Sequence, residues 1–353
     1  EDYSYTSAMY NDNENGVIPF EIPYDVAEYV SKRTCASEGL KVNLDTGIVT
    51  EYTGTDTYVV IPEYFNTGAG DIVKITGIDA NAFKGNTNIE AVELSDFITE
   101  IPNRAFEGCT SLIGVSGENI TKIGDEAFSG CVSAKECGVS QQITYLGENA
   151  FKDVGGVIVN AANADVVKAA ANSGAKEIVI SLEYIKDDAS LENTEINIPQ
   201  GTKYFELNGK KDYNYKNLSI ESNADTTVLN KINIDCNGKI PFKTSSSEVV
   251  LNQSSAQSNG LVAVFLAENV RVGLQGTVSF VSGNDVAMLC KQMELYEANN
   301  KVVGNLSVVK SALACAEIIN QELMTGDVTL IDNEQFENYL NSRKITFNAN
   351  GGN

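Results

Sequence analysis

Residues that commonly carry catalysis are sparse in this chain of 353 residues, which contains no histidine. Without histidine, an imidazole general base, a Ser-His or Cys-His nucleophile pair and a histidine-ligated metal are all excluded. Ser307–Lys310 has the Ser-x-x-Lys spacing of serine acyl-enzymes, but the Ser-Asp-Asn and Lys-Thr-Gly elements that accompany it do not occur in the sequence. We therefore predict no catalytic residue from these patterns.

Carboxylates could still support glycan cleavage or calcium binding, and the second half of the chain contains five candidates. They are Asp225, Asp235, Glu248, Glu268 and Asp285. Their spacing is irregular, whereas such sites need carboxylates that converge in one groove. Arg271, the only arginine between residues 186 and 330, lies in an alternating apolar run that predicts an outward side chain on a strand. We predict that the protein is not an enzyme and binds no metal or cofactor.

The overall charge limits the possible partners. Lys and Arg total 25 and Asp and Glu total 48, so the formal net charge is −23. This charge repels phosphate backbones and predicts no nucleic-acid binding. No run approaches the roughly 18 apolar residues of a membrane helix, so we also predict no membrane insertion. The length itself predicts two or three domains.

Cysteine usage gives no sign of a metal or redox site. The chain contains seven cysteines without a Cys-x-x-Cys pair: Cys35, Cys109, Cys131, Cys137, Cys236, Cys290 and Cys315. We predict that they are buried thiols that act as small apolar side chains.

An internal repeat supplies the scaffold of the first half. Four segments align without gaps: Ile75–Phe83, Ile98–Phe106, Ile120–Phe128 and Ile143–Phe151. Their terminal phenylalanines recur every 22 or 23 residues, and Cys109 and Cys131 each lie three residues beyond one of them. A period of this length, with apolar residues at fixed offsets, predicts a solenoid of leucine-rich-repeat type in which each coil is buried only against its neighbours.

The repeat, written I-T-x-I-x-x-x-A-F-x-G-C-x-x-L-x-x-V, resembles the BspA-like leucine-rich repeats of bacterial surface proteins over about residues 50–185. Gly47–Gly54 and Val59–Pro62 look like the β-hairpin cap that opens such arrays. Asn163–Ala175 reads as a closing helix stopped at Gly174, and Glu177–Ser181 as a strand. The resemblance implies surface display.

By analogy with that family, a binding strip is expected on the concave face, at the outward positions beside the repeat strand. These positions are Glu93, Ser95, Ser116, Glu136, Gly138 and Ser140. None of them is an arginine or an aromatic residue, the usual anchors of an interface. A solvated sheet surface without a ligand is therefore the alternative.

Beyond residue 186 the repeat period is no longer visible, and short β-like runs alternate with Asn-, Ser- and Gly-rich turns. Such a pattern is typical of a β-sandwich, a barrel or a parallel β-helix. We favour the β-helix because the sequence shows no clean series of hairpins. Ser311–Asn320 and Asn333–Leu340 read as helices.

The predicted fold is therefore mixed and mainly β, with four parts along the chain. Residues 1–50 form an N-terminal segment and cap, 51–185 the repeat array, 186–330 the β-rich domain, and 331–353 a helix followed by a last segment. That last segment, Lys344–Asn353, resembles the opening strand of the Listeria–Bacteroides repeat, a spacer of bacterial surface proteins, and would then be truncated. A plain terminal strand is the alternative.

These features favour a non-enzymatic protein, secreted or on the bacterial cell surface, that mediates adhesion or protein–protein interaction. Its expected partner is a protein or glycan on a host or neighbouring cell. One alternative is a carbohydrate-binding module with an exposed line of aromatics in the second half, for which Tyr204, Tyr213, Tyr215 and Tyr296 are the candidates. The other alternative is a spacer without a ligand.

Overall fold

The stacked phenylalanines of the repeat mark the axis of the first half. The computed structural model describes residues 36–66, 72–258, the strands between residues 262 and 330, Asn320 and Glu334. Phe83 stacks on Phe106 with ring centroids 5.1 Å apart. The series continues to Phe128 at 5.4 Å and to Phe151 at 5.5 Å. These separations are close to the spacing of neighbouring strands, so each coil contributes one ring to a continuous core.

Some predictions concern other parts of the chain. Those for residues 1–35 and for Lys344–Asn353 lie outside the described residues, as does the predicted helix Asn333–Leu340 apart from Glu334.

A β-hairpin precedes the coils, but the two segments predicted to form it, Gly47–Gly54 and Val59–Pro62, do not pair with each other. The strand Tyr58–Val60 instead pairs in parallel with Ala91–Glu93 of the array. Strands β1 (Leu40–Asn43) and β2 (Ile48–Tyr52) pair antiparallel. Gly47 lies in the turn with φ +71°, and a Cβ there would lie 2.0 Å from the Lys74 carbonyl oxygen. A side chain would therefore both strain this turn and clash with the next coil.

Each coil of the array contributes short strands on two faces. The strands are β3 (Tyr58–Val60), β4 (Tyr64–Asn66), β5 (Ile72–Lys74), β6 (Gly77–Ile78), β7 (Ala91–Glu93), β8 (Glu100–Ile101), β9 (Gly114–Ser116), β10 (Lys122–Ile123), β11 (Cys137–Val139) and β12 (Tyr145–Leu146). One parallel sheet has the order β3-β7-β9, and another has the order β12-β10-β8. Apolar side chains at equivalent positions of each coil stack between these faces.

A longer coil joins the array to the second half. It contains β13 (Gly156–Asn160), α1 (Ala164–Ala171) and β14 (Glu177–Ser181). The side chain of Asn163 caps α1 by accepting a hydrogen bond from the Val166 amide at 2.9 Å. Gly174, with φ +80°, follows the helix. The predicted helix and strand are thus confirmed, but they do not close the stack, because β14 pairs in parallel with the strand Tyr204–Asn208.

The second half is a parallel β-helix, which confirms the favoured alternative. After a 3₁₀ turn at Asp188–Leu191, its strands are β15 (Glu195–Ile198), β16 (Tyr204–Asn208), β17 (Asn214–Lys216), β18 (Ser219–Ser222), β19 (Thr226–Asn230), β20 (Asn233–Cys236), β21 (Phe242–Thr244), β22 (Glu248–Asn252), β23 (Ser255–Ser258), β24 (Val262–Phe265), β25 (Asn269–Gln275), β26 (Thr277–Ser282), β27 (Val286–Leu289), β28 (Gln292–Glu297), β29 (Asn305–Cys315), β30 (Glu317–Ile319) and β31 (Met324–Leu330). Among the described residues of β15–β31, neighbouring strands pair in parallel.

One sheet runs through both halves of the chain. Its order is β11-β13-β14-β16-β19-β22-β25-β28-β30. The aligned residues Tyr204, Thr226, Glu248, Arg271 and Glu294 follow one another at intervals of 22 or 23 residues. The interpretation that the period ends near residue 186 is therefore wrong for the backbone. The coil length persists, while the repeated Phe and Cys positions that made it visible are replaced by other buried residues.

The helix predicted at Ser311–Asn320 is also wrong. Ser311 to Cys315 belong to β29, and Glu317–Ile319 form β30. Ala and Leu favour a helix in isolation, but β29 pairs with β26, β27 and β31. Ladder hydrogen bonds with three strands override that weak local preference.

Candidate functional site

The predicted concave strip begins on two neighbouring strands. Glu93 ends β7 and Ser116 ends β9, and the two residues are direct partners in the parallel register. Both side chains are half-buried. The Tyr58 hydroxyl donates to Glu93 Oε2 at 3.3 Å. Burial raises the pKa of the Glu93 carboxyl and Asp96 adds to this, while the hydrogen bond from Tyr58 opposes it.

The other predicted strip residues differ in what they present. Ser95 is only 6% exposed, and its Oγ accepts from the Phe97 amide at 3.1 Å. Ser140 is half-buried, with its Oγ accepting from the Gln142 amide at 3.3 Å, and Glu136 is exposed just before β11. The hydroxyls of Ser95 and Ser140 therefore order turns, whereas Glu93 and Ser116 share one patch of the sheet.

Outward positions of the second half carry a ladder of charges. Arg271 lies 3.6 Å from Glu248 and 3.4 Å from Glu294, and its guanidinium carbon lies 4.8 Å from the centroid of the Tyr296 ring. Its side chain is 54% exposed, so the predicted outward orientation is confirmed. These contacts use the arginine to neutralise carboxylates of adjacent strands.

Three of the five carboxylates singled out from the sequence, Asp225, Asp235 and Glu248, lie in the described part of the chain. Asp225 pairs with Lys203 at 2.9 Å, and Glu248 pairs with Arg271 and accepts from Tyr296. Glu268 and Asp285 lie outside the described residues. In the described segments, no group of three or more Cys, Asp or Glu residues could hold a metal ion.

The four candidate tyrosines of the second half do not form an exposed line. Tyr215 is 1% exposed and belongs to the core, with Tyr213 packed edge-on at 4.7 Å. Tyr204 and Tyr296 are half-buried, and their hydroxyls donate to Glu206 and Glu248, each at 2.6 Å. The aromatic platform that a carbohydrate module would need is therefore not built from these residues.

A groove that the sequence interpretation missed is lined by residues of the turns that follow β8, β10 and β12 along the chain. Its volume is about 580 Å³, and we call it the amide–carboxylate groove. It is lined by Ala80, Asn81, Asn103, Arg104, Asp125, Glu126, Glu148 and Asn149. These residues occupy the two positions that lie three and two residues before each repeat phenylalanine. The sequence does contain a signal for this groove, because polar residues recur at both positions of each repeat, with Ala80 as the one exception.

Hydrogen bonds between coils fix the floor of the amide–carboxylate groove. Asn103 Oδ1 accepts from the Asp125 amide at 2.9 Å, and Asp125 Oδ1 accepts from the Glu148 amide at 2.9 Å. The Arg104 guanidinium donates from Nε to Glu126. That hydrogen bond and the Glu126 charge raise the pKa of Arg104. A backbone amide of each coil thus orients a polar side chain of the preceding coil.

The groove backbone adopts an uncommon conformation. Arg104, Glu126 and Asn149 occupy the same repeat position, with φ values of +59°, +53° and +52°. Left-handed backbone costs a residue other than glycine roughly 1–2 kcal/mol. Amide-to-carbonyl bonds compensate for this strain, since Arg104 donates to Asp125 at 2.9 Å and Glu126 donates to Glu148 at 2.9 Å. The groove side chains therefore project from a rigid turn.

The four cysteines whose side chains the structure describes, Cys109, Cys131, Cys137 and Cys236, are buried and free, as predicted. The Cys109 thiol donates to the Phe83 carbonyl at 3.0 Å, and the Cys131 thiol donates to the Phe106 carbonyl at 3.2 Å. Burial raises the pKa of Cys109 to about 11 and that of Cys137 to about 12.

We expect these four thiols to resist alkylation in the folded protein. At pH 8, three units below a pKa of about 11, only about a thousandth of the Cys109 thiol is ionised. Iodoacetamide followed by peptide mass spectrometry should label them in denaturant and leave them unmodified without it. Rapid labelling of Cys109 or Cys131 in the folded protein would contradict the buried assignment.

Comparison with known proteins agrees with the repeat geometry. Residues 73–159 match the family described as BspA type leucine-rich repeat region, in six copies. The predicted resemblance to BspA-type leucine-rich repeats is thus confirmed for residues 73–159. None of the curated proteins matches the chain.

Several solved structures of bacterial proteins are similar to parts of the chain. A leucine-rich repeat protein from Bacteroides capillosus is 26% identical, covers 36% of this chain and 100% of its own, and has a TM-score of 0.31. The leucine-rich repeat protein of T. pallidum is 17% identical, covers 54% and 86%, and has a TM-score of 0.38. A leucine-rich cell surface protein from Faecalibacterium prausnitzii is 14% identical, covers 87% and 98%, and has a TM-score of 0.33.

Helices are short in the described part of the chain. Among the described residues, no helix is long and apolar enough to cross a membrane.

Proposed function

We propose that this chain, with a BspA-type repeat region at residues 73–159, is a non-enzymatic adhesion protein on the bacterial surface or secreted from the cell. Leucine-rich repeat proteins generally mediate protein–protein interaction or adhesion. Solenoids do so through extended surfaces, because stacked coils present equivalent outward positions side by side. Its partner, in this proposal, is a protein on a host or neighbouring cell.

The observation that carries the proposal is the alignment of outward side chains on a rigid parallel sheet. Glu93 and Ser116 are direct register partners on β7 and β9, and Glu136 and Ser140 flank β11. The fixed backbone lowers the entropic cost of binding a partner along this strip. Carboxylate and hydroxyl groups at these positions suit a partner surface that offers hydrogen-bond donors or positive charge.

Adhesion of coated beads tests the proposed function. Beads carrying this chain should attach to epithelial or bacterial cells more than beads carrying an unrelated protein of similar negative charge. Protease treatment of the cells should remove the attachment if the partner is a protein. Equal attachment of both kinds of bead to every cell type would overturn the adhesion proposal and leave the spacer alternative.

A substitution on the strip should reduce that attachment at least tenfold. We choose Ser116→Arg, because a long cationic side chain beside Glu93 changes both the shape and the charge of the patch. Thr110→Arg is the matched control, since it adds the same charge at an exposed position outside the strip. Bead counts and binding kinetics on the captured partner measure the effect. Equal losses for both variants would argue against the strip as the binding surface.

A further inference from the structure

We propose that the amide–carboxylate groove binds a neutral saccharide. This inference is independent of the proposed protein adhesion, because it uses residues two and three positions before the repeat phenylalanines rather than the concave strip. Its basis is a groove of about 580 Å³, a volume within the usual range for small-ligand sites. Several polar groups of this groove remain available for hydrogen bonds to a ligand.

Hydrogen-bonding capacity in the groove is only partly used. The side chains of Asn81, Glu148 and Asn149 line it and make no hydrogen bond or ion pair with another described residue. Asn103 uses its Oδ1 for the Asp125 amide, which leaves its Nδ2 as a donor. A side-chain amide both donates and accepts, and a carboxylate only accepts. A sugar hydroxyl also donates and accepts, so this mixture matches a row of hydroxyl groups.

The charges of the groove disfavour other ligand classes. Three carboxylates, those of Asp125, Glu126 and Glu148, would repel an anion, and the single guanidinium is already bound to Glu126. Because Arg104 is paired with Glu126, Asp125 and Glu148 leave the groove net negative, and a basic peptide is the competing ligand that the experiment below must distinguish. Across the described residues, no acidic cluster has the arrangement of a metal site. An apolar ligand would find Ala80 as the one apolar side chain among the lining residues.

An exposed aromatic residue is hydrogen-bonded to one of the residues that line the groove. Tyr145 is 49% exposed, and its hydroxyl donates to Asp125 Oδ1 at 3.3 Å. Tyr145 of β12 is the register partner of Lys122 on the neighbouring strand β10. The apolar face of a pyranose packs well on an exposed aromatic ring, while its hydroxyls reach polar neighbours. Tyr145 therefore supplies a platform next to the amides and carboxylates.

Left-handed backbone in the groove permits a test that removes side chains without harming the fold. Asn149 has φ +52°, a conformation that glycine adopts without strain. We combine Asn149→Gly with Glu148→Ala as the groove variant. Asp153→Gly is the matched control, because Asp153 has φ +69° in the same coil and does not line the groove. Thermal unfolding should show that both variants remain folded.

Affinity electrophoresis measures the binding directly. The purified chain is run through native gels containing dextran, yeast mannan, xyloglucan or galactan, and through a gel without polysaccharide. We expect retardation in at least one gel, a loss of at least tenfold in affinity for the groove variant, and unchanged retardation for Asp153→Gly. Addition of EDTA should have no effect.

Three results would overturn the saccharide proposal. The first is unchanged mobility in every polysaccharide gel. The second is retardation that the groove variant shares with the parent chain, since the sugar would then bind elsewhere. The third is binding of an arginine-rich peptide that the groove variant abolishes while no polysaccharide retards the chain, which would assign the groove to a basic peptide. None of these results bears on bead adhesion, so the two proposals fail separately.

Discussion

Replacing Phe106 with alanine should lower the free energy of unfolding by about 3–5 kcal/mol, the usual cost of truncating a buried phenylalanine. Phe106 is fully buried and contacts the rings of both neighbouring coils, with centroids 5.1 Å from Phe83 and 5.4 Å from Phe128. The substitution removes both ring contacts and leaves a cavity in the centre of the stack. Because a coil is stabilised mainly by its neighbours, the loss should spread along the array.

Urea unfolding followed by far-UV circular dichroism measures this effect. Phe106→Leu fills most of the same volume and should lose clearly less stability than Phe106→Ala. Tyr145→Ala removes an exposed ring and should change stability by less than about 1 kcal/mol. A loss below about 1 kcal/mol for Phe106→Ala would mean that the stacked rings do not form the central core of the array.

Replacing Gly147 with alanine should destabilise the array by about 3 kcal/mol or more, at the upper end of the cost of overpacking. A Cβ at Gly147 would lie 2.3 Å from the Asp125 amide nitrogen and 2.3 Å from the Gly124 carbonyl carbon. Both contacts are with backbone, so no side-chain rotation can relieve them. Separation of the coils would also weaken the hydrogen bond from the Gly147 amide to the Ile123 carbonyl, now 2.8 Å long.

Gly85→Ala separates this steric effect from backbone strain. Gly85 has φ +71° and no atom within 4 Å of an added Cβ, so alanine there should cost only the roughly 1–2 kcal/mol of left-handed backbone. Both variants can be compared by the midpoint of urea unfolding. Equal shifts of the urea midpoint for the two variants would contradict the prediction, because they would show that the close approach of the coils does not exclude a Cβ at Gly147.

Much of the fold could be predicted because the repeat supports each assignment several times. Four phenylalanines in register determined a stacked core, and the same alignment placed Cys109 and Cys131 in it. The helix that begins after Asn163 followed from start and stop signals that act within a few residues. Local signals of this kind survive folding because the tertiary structure reinforces them.

Polar residues of the second half were harder to interpret. Ser245–Ser247 is among the stretches interpreted as turns, yet Ser246 is buried inside the β-helix together with Ser222 and Thr227. Their hydroxyls bond to one another, at 2.6 Å between Ser222 and Thr227 and at 2.8 Å between Thr227 and Ser246. Ser222 and Thr227 lie in one coil, whereas Ser246 belongs to the next, so the bond between Thr227 and Ser246 cannot be inferred from local composition.

The sequence by itself determined the repeat array, its apolar positions, the absence of histidine chemistry and the outward direction of Arg271, since these depend on residue type and short-range periodicity. Only the tertiary structure decided that Ser311–Cys315 is a strand, that one sheet crosses residue 186, and that Asn103, Asp125 and Glu148 line one groove. The physical reason is that these features arise from hydrogen bonds and contacts between coils about 22 residues apart, where the neighbouring coil rather than the local sequence fixes the conformation.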